Sequence, residues 1–214
     1  MAPVLGYWNI RGLVTPIRYL LEHVGQEYEW KGYDFENADE WKNNKEKLGM
    51  EFPNLPYYID GDQKLTQSHA ILRYLARKHG LIAKNDKDAL EQDIIDGVIF
   101  DLIIRWGWLC YGANDLEKDK AAYRSEQLTP ILKQLEHHLS KREYCVGNYL
   151  TYTDFVLYER LDGNQIMFPD ILDNFPNLKK FHERIGNLKG IKEFRTSNRF
   201  KKVLNGAIAK WNNN

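Results

Sequence analysis

The chain is poor in cysteine: Cys110 and Cys145 are the only two in 214 residues. With no CxxC pair and no His/Cys cluster at zinc spacing, the sequence lacks a disulfide scaffold, a dithiol redox motif and a structural zinc site. Charge of one sign is also missing. Thirty Lys and Arg balance thirty Asp and Glu, for a formal net charge of zero. A nonspecific nucleic-acid binder would carry a basic excess or stripe, so no nucleic-acid partner is expected. No uninterrupted apolar run approaches the length that crosses a bilayer, so no membrane span is expected. The first 30 residues include Arg11, Arg18 and Glu22 and lack a small-residue cleavage site after an apolar stretch, which does not read as a secretory signal. A cytoplasmic location follows by default. Internal repeats and low-complexity tracts are absent as well.

What is there is an ordinary globular composition, 43% hydrophobic and 28% charged. The first 80 residues mix two periodicities. Residues 3–8 read as a short buried strand, closed by a turn around Arg11-Gly12. A helical stretch follows, with Ile17, Leu20, Leu21 and Val24 on one side and Gly25 as its stop. Residues 28–33 alternate like a strand. After a polar, charged segment, residues 55–59 and 64–66 form two more strands around the tight-turn signal Asp60-Gly61-Asp62. A helix with apolar positions 71, 72, 75 and 76 ends at Gly80. The order βαβ, hairpin, helix predicts a small α/β unit with a mixed sheet.

Beyond a connector at 80–86 the pattern is helical. Leu90, Ile94, Val98, Leu102 and Trp106 recur every four residues, with Ile95, Ile99 and Ile103 in the adjoining row, predicting one long helix to about Cys110 with a wide apolar face. A second helix carries Leu128, Ile131, Leu132, Leu135 and Leu139. Thr151 and Asp154 have the spacing of a capping box ahead of a buried helix. Shorter helices are expected near 177–186 and 188–195. The division expected is 1–82 for the α/β unit and 88–214 for an all-helical domain.

An α/β unit followed by helices serves many functions. Individual residues are more specific. The run Leu5-Gly6-Tyr7-Trp8-Asn9-Ile10-Arg11-Gly12-Leu13 closely resembles the N-terminus of mu-class glutathione transferases. So do Phe52-Pro53-Asn54-Leu55-Pro56-Tyr57, Leu65-Thr66-Gln67-Ser68, the segment 76–80 and the motif 147–154, in matching order over essentially the whole chain. One departure stands out. The segment between Tyr28 and Trp41 is about a turn and a half of helix shorter than in vertebrate mu enzymes, a length that looks like invertebrate members. It borders the active site in the family, so substrate preference is open.

The resemblance implies a thioredoxin-like N-terminal domain, an all-α C-terminal domain and a defined chemistry. A free thiol has a pKa near ~8.5, and the thiolate is the nucleophile. Ionisation at pH 7 requires a fall of roughly 1.5–2 units, about 2–3 kcal/mol. One hydrogen bond to a charged group contributes roughly 1.5–3 kcal/mol, so a single hydroxyl donor is about sufficient. Tyr7 holds the family's position for that donor; a tyrosine without this motif would read as strand packing.

By the same resemblance Gln67 and Ser68 hold the γ-glutamyl carboxylate at a helix N-terminus, although Ser68 also reads as an N-cap. Leu55 lends its backbone to the cysteinyl part through a cis Leu55-Pro56 bond. Trp41 and Lys45, four apart on one helical face, bind the glycyl end. Trp8, Leu13 and Asn54 match further glutathione contacts. Asp101 matches an aspartate reaching the neighbouring subunit's ligand, and Tyr111 one facing the electrophile. Phe52 and Arg73 match dimer contacts, so a homodimer is expected.

The expected function is therefore attack of the glutathione thiolate on small hydrophobic electrophiles, as in detoxification. Glutathione is a co-substrate, and neither cofactor nor metal is expected. Two rivals share the fold: a non-catalytic ligand-binding or structural member, and a sigma-like prostaglandin isomerase. Intact Tyr7, Trp41, Lys45, Gln67 and Ser68 weigh against the first, and Trp8 with residues 9–12 against the second. With no cysteine before residue 80, a thiol–disulfide oxidoreductase is disfavoured. The physiological electrophile, and any peroxidase, isomerase or storage role, are not written in the sequence.

Overall fold

A computed structural model describes residues 2–213. Its first unit comprises residues 1–80 together with 189–207. Strand β1 (Val4–Trp8) runs into helix α1 (Thr15–Val24), which ends where Gly25 takes a left-handed φ of 69°. That conformation carries no Cβ penalty in glycine, and the Gly25 amide closes the last turn on Glu22. Strand β2 (Glu29–Tyr33) follows and pairs parallel to β1. The connection then tightens: only residues 34–37, including one 3₁₀ turn, precede α2 (Ala38–Asn44). Strands β3 (Tyr57–Asp60) and β4 (Gln63–Thr66) form the hairpin expected around Gly61, and α3 (Ser68–His79) stops at a left-handed Gly80.

The sheet order is β2-β1-β3-β4, parallel on the β2 side and antiparallel elsewhere. Leu5, Ile17, Leu20, Leu21, Tyr58, Ile71, Leu72 and Leu75 are buried, so α1 and α3 supply the apolar stripes of the core. Helix α9 (Ile191–Thr196) and the chain after it return to this unit. Ile191 and Phe194 are buried, and Phe194 lies edge-on to Tyr19 of α1. The sequence suggests 1–82 for the first unit and 88–214 for the second; the contacts instead give residues 189–207 to the first unit.

The second unit holds residues 81–188 and 208–214. Helix α4 (Asp86–Gly107) continues into a π-helical turn at Trp108–Gly112. Helix α5 (Leu116–Ala122) passes through a π-helical segment into α6 (Thr129–Leu139). Helices α7 (Tyr152–Met167) and α8 (Pro176–Gly186) complete it. Asp154 supplies the expected capping box, accepting from the Thr151 amide at 2.7 Å and from the Cys145 amide at 2.7 Å.

The buried face of α4 follows the sequence pattern at Ile95, Ile99, Leu102 and Trp106 but departs from it over the first turns. A repeat of four drifts about 40° per step on a helix of 3.6 residues per turn, so residues 90 and 94 leave the face that 102 and 106 occupy. Leu90 and Ile94 are 65% and 60% exposed. Their place inside is taken by Gln92 and Asp96, both buried. Gln92 donates to the Thr153 hydroxyl at 3.0 Å, and Asp96 accepts from Thr153 at 2.9 Å and from the Tyr152 hydroxyl. Fully bonded polar pairs of this kind remove the desolvation penalty that would otherwise exclude them.

Candidate active site

Strand direction brings the predicted residues of the first unit together. β1 ends at Trp8; β3 begins at Tyr57, paired with Gly6; β4 ends at Thr66, paired with Tyr57. Tyr7 and Trp8, then Leu55 and Pro56, then Gln67 and Ser68 therefore all emerge at the same end of the sheet. Ligands of α/β sheets collect at strand ends because the loops there are free to vary.

Tyr7 is buried, 7% exposed, and its hydroxyl oxygen accepts from the Leu13 amide at 3.2 Å. Accepting one hydrogen bond orients the phenol and polarises its O–H as a donor. The loop must come close for this. Gly12, with φ of +43°, would place a Cβ 2.6 Å from the Tyr7 hydroxyl, so only glycine fits. Leu13 itself is 38% exposed.

An aromatic raft supports the same end of the sheet. Trp8 stacks on Phe35, with centroids 4.6 Å apart, and meets Tyr33 edge-on. Trp41, buried on α2, stacks on Tyr57 at 6.0 Å and lies edge-on to Tyr33 at 5.5 Å. The Tyr33 and Tyr57 hydroxyls bond each other at 3.0 Å, and burial, reinforced by that bond, raises the Tyr57 phenol well above its ordinary value. These contacts fix α2 against β3. Lys45 follows directly: α2 ends at Asn44, and Lys45 opens a 3₁₀ turn, half-exposed and 3.8 Å from Glu46. The raft partners Tyr33 and Phe35 escape sequence reasoning because ring contacts between β2, the next turn and β3 leave no periodic signal.

The Leu55-Pro56 bond is cis, as the resemblance implies, and the Asn54 side-chain oxygen accepts from the Leu55 amide at 2.9 Å. At the start of α3 the N-cap is Gln67, not Ser68, which is the first helical residue. The N-cap reading of Ser68 is thereby corrected. Gln67 adopts φ 68° and ψ 115°, the one positive φ among the described non-glycine residues. Such a conformation costs roughly 1–3 kcal/mol and persists at sites that need it. Its side chain does not cap the helix, so the first-turn amides and the positive end of the dipole remain suited to a carboxylate.

The other predicted residues lie apart from this cluster in the sequence. Phe52 is 68% exposed in the loop before β3, and Arg73 is half-buried on α3. In the second unit, Asp101 is exposed on α4 and Tyr111 is 40% exposed in the π-helical turn. On α4 and the turn after it, Leu90, Ile94, Ile104 and Trp108 are all more than 40% exposed. Their spacing of four, then ten, then four residues puts them on one stripe with Asp101. Among the described residues no cluster of three or more His, Cys, Asp or Glu could hold a metal ion, and no helix is long and apolar enough to cross a membrane.

Comparison with known proteins identifies the family. Residues 3–77 match the family model for the N-terminal domain of glutathione S-transferases, and residues 100–198 match a model for their C-terminal domain. The chain is 44% identical over 205 residues to glutathione S-transferase Mu 2 of Macaca fuscata fuscata, covering 94% of this chain and 93% of that one. It is 41% identical over the full length of both chains to glutathione S-transferase Mu 1 of Rattus norvegicus. Among solved structures, the glutathione S-transferase Blo t 8 superposes with a TM-score of 0.91 at 35% identity, covering 97% of this chain and 99% of that one. A Pi-class enzyme from Onchocerca volvulus gives 0.86 at 32% identity, covering 98% and 100%. The sheet-end cluster, the thioredoxin-like unit with its helical companion, and this similarity over nearly the whole chain place the protein in the glutathione S-transferase family, in its mu class.

Proposed function

We propose that the Tyr7 hydroxyl donates to the sulfur of bound glutathione and holds it as the thiolate that attacks small hydrophobic electrophiles. The observation that carries this reading is the Tyr7 hydroxyl at the sheet end, buried and polarised by the Leu13 amide at 3.2 Å. A donor fixed before the ligand arrives stabilises the anion without reorganisation. The tripeptide is held along its length: the γ-glutamyl carboxylate by Gln67 and Ser68 at the α3 N-terminus, the cysteinyl backbone by Leu55, and the glycyl end by Lys45 and the Trp41 indole. Trp8, Leu13 and Asn54 complete the first-unit contacts.

Tyr111 is assigned to the electrophile and Asp101 to the α-amino group of glutathione bound by a partner subunit. A homodimer gives Asp101 that role. It would also cover the exposed Leu90, Ile94 and Ile104 on the Asp101 side of α4, Trp108 in the turn after it, and the exposed Phe52. Glutathione acts as co-substrate, with no resident cofactor, and the protein works in the cytoplasm. The non-catalytic and isomerase readings are not favoured, since the relatives are named as transferases of the mu class. The test is a thiolate absorbance titration of the saturated glutathione complex, run beside conjugation of an aryl halide. A bound thiol with a pKa near ~7 and a conjugation rate that tracks its ionisation are expected. A bound thiol that titrates as in free solution would overturn the proposal.

A further inference from the structure

The chain after α9 has no regular secondary structure from residue 201 to 206, yet Leu204, Asn205 and Gly206 are buried. What it does is visible in the amide bonds of the loop after β1. Asn9 N–H donates to the Tyr33 carbonyl at 2.8 Å, and Ile10 N–H to the Trp8 carbonyl at 2.7 Å. Arg11 N–H donates to the Val203 carbonyl at 2.8 Å, and Gly12 N–H to the Leu204 carbonyl at 3.1 Å. Leu13 N–H then meets the Tyr7 hydroxyl. Five successive amides are satisfied, and two of the five acceptors come from a strap nearly 200 residues away in sequence.

The strap is anchored from both sides. Arg11, 2% exposed, lies with its guanidinium 5.2 Å over the Phe200 ring. Arg18, also buried, sits between Trp30 and Phe194 and donates to the Arg199 carbonyl at 2.8 Å. The Arg199 guanidinium pairs twice with Glu22 of α1, both contacts at 2.7 Å. At the far end, a Cβ on Gly206 would come 2.9 Å from Phe35 Cζ, and Phe35 is the ring stacked on Trp8.

We propose that residues 203–206 are a positioning element for the Tyr7 hydroxyl: by holding the Arg11 and Gly12 amides, they set the course of the loop that delivers the Leu13 amide to the phenolic oxygen. The inference rests on Tyr7 as the thiolate donor. Without the strap, the amides of buried Arg11 and half-buried Gly12 would need new acceptors, and the loop would shift to find them. The Leu13 amide would move with it, and the phenol would lose both its fixed orientation and its polarisation.

Two full-length variants loosen the strap. Leu204→Ala removes the buried side chain that seats it, and Gly206→Ala pushes it against Phe35. Hydrogen exchange of peptides spanning residues 9–14 is measured beside the pKa of the bound thiol and the glutathione Kd. Exchange should quicken by about tenfold or more in at least one variant. In that variant the bound thiol pKa should rise by about half a unit to one unit, with glutathione Kd changing less than about threefold. On a Tyr7→Phe background the same strap change should produce no further rise. Faster exchange with an unchanged thiol pKa would overturn the inference, and so would unchanged exchange in both variants. The Tyr7→Phe single variant separates the two levels: if it does not raise the thiol pKa, the Tyr7 assignment itself has failed.

Discussion

Replacing Tyr7 by phenylalanine deletes one oxygen from a packed ring, and its consequences can be worked through from the structure. The ring is 7% exposed and stays where it is, so the sheet end and the glutathione contacts proposed at Gln67, Ser68, Trp41 and Lys45 should be undisturbed. The Leu13 amide loses its acceptor, but Leu13 is 38% exposed and water can replace it, so stability should change by no more than about 1 kcal/mol. The sulfur loses its donor. A hydrogen bond to an anion is worth roughly 1.5–3 kcal/mol, which corresponds to a thiol pKa higher by about 1–2 units. At pH 7 a rise from near ~6.75 to ~8.5 takes the thiolate from a little over half to a few per cent, roughly a 20-fold loss. Conjugation should fall by no more than that factor, because a more basic thiolate is also the better nucleophile. The assay is the thiolate absorbance of the saturated complex against pH, with glutathione affinity measured separately. An unchanged thiol pKa would remove Tyr7 from the mechanism, and a raised pKa with affinity lost more than about 100-fold would recast it as a binding residue.

Tyr111→Phe should lower turnover of epoxides or enones by roughly 10- to 100-fold, since their transition states place negative charge on an oxygen that a phenol can bond. Aryl halide turnover should stay within a few-fold of wild type, and equal losses on both classes would leave Tyr111 a packing role. Phe52→Ser should weaken subunit association, while Asp101→Asn should weaken glutathione binding and leave the dimer intact; a wild-type monomer by light scattering at micromolar concentration would refute both. Gly12→Ala introduces a Cβ 2.6 Å from the Tyr7 hydroxyl at a φ of +43°, so the bound thiol pKa should rise together with a loss of stability of about 1 kcal/mol or more. A thiol titration matching wild type would show that the loop has room. Burial pushes the Asp154 carboxyl up to about 6, opposed by its bonds to the Cys145 and Thr151 amides. An unfolded aspartate titrates near ~3.9, so between about pH 4 and 6 the folded state binds more protons, and the Asp154 contribution falls by about 3 kcal/mol as pH rises. The stability gap between wild type and Asp154→Asn, from denaturant midpoints, should therefore narrow from pH 4 to 6.5; a widening gap would mean that the amide donors outweigh burial.

The sequence by itself determined the features that depend on neighbours along the chain. Gly25 and Gly80 end α1 and α3 because a left-handed residue is cheap only in glycine, and the Asp60-Gly61-Asp62 turn sets the β3–β4 hairpin. Thr151 and Asp154 cap α7 because their spacing of three matches the first helical turn. The motif through Tyr7 and the Leu55-Pro56 and Gln67-Ser68 pairs pointed to the candidate site, since each is a local string with a family likeness. Other features required the folded chain. Only strand direction gathers those three strings at one sheet end. The buried face of α4 depends on what packs against it: Tyr152 and Thr153 hold Asp96 inside while Leu90 and Ile94 face outward, against the hydrophobic pattern. Helix α9 and the strap after it rejoin the first unit through carbonyl-to-amide bonds, which use no side-chain chemistry that a sequence could display. Tertiary structure alone decided that Val203 and Leu204 hold the loop beside Tyr7, because a backbone acceptor is present at every residue and only its position in space selects the one that is used.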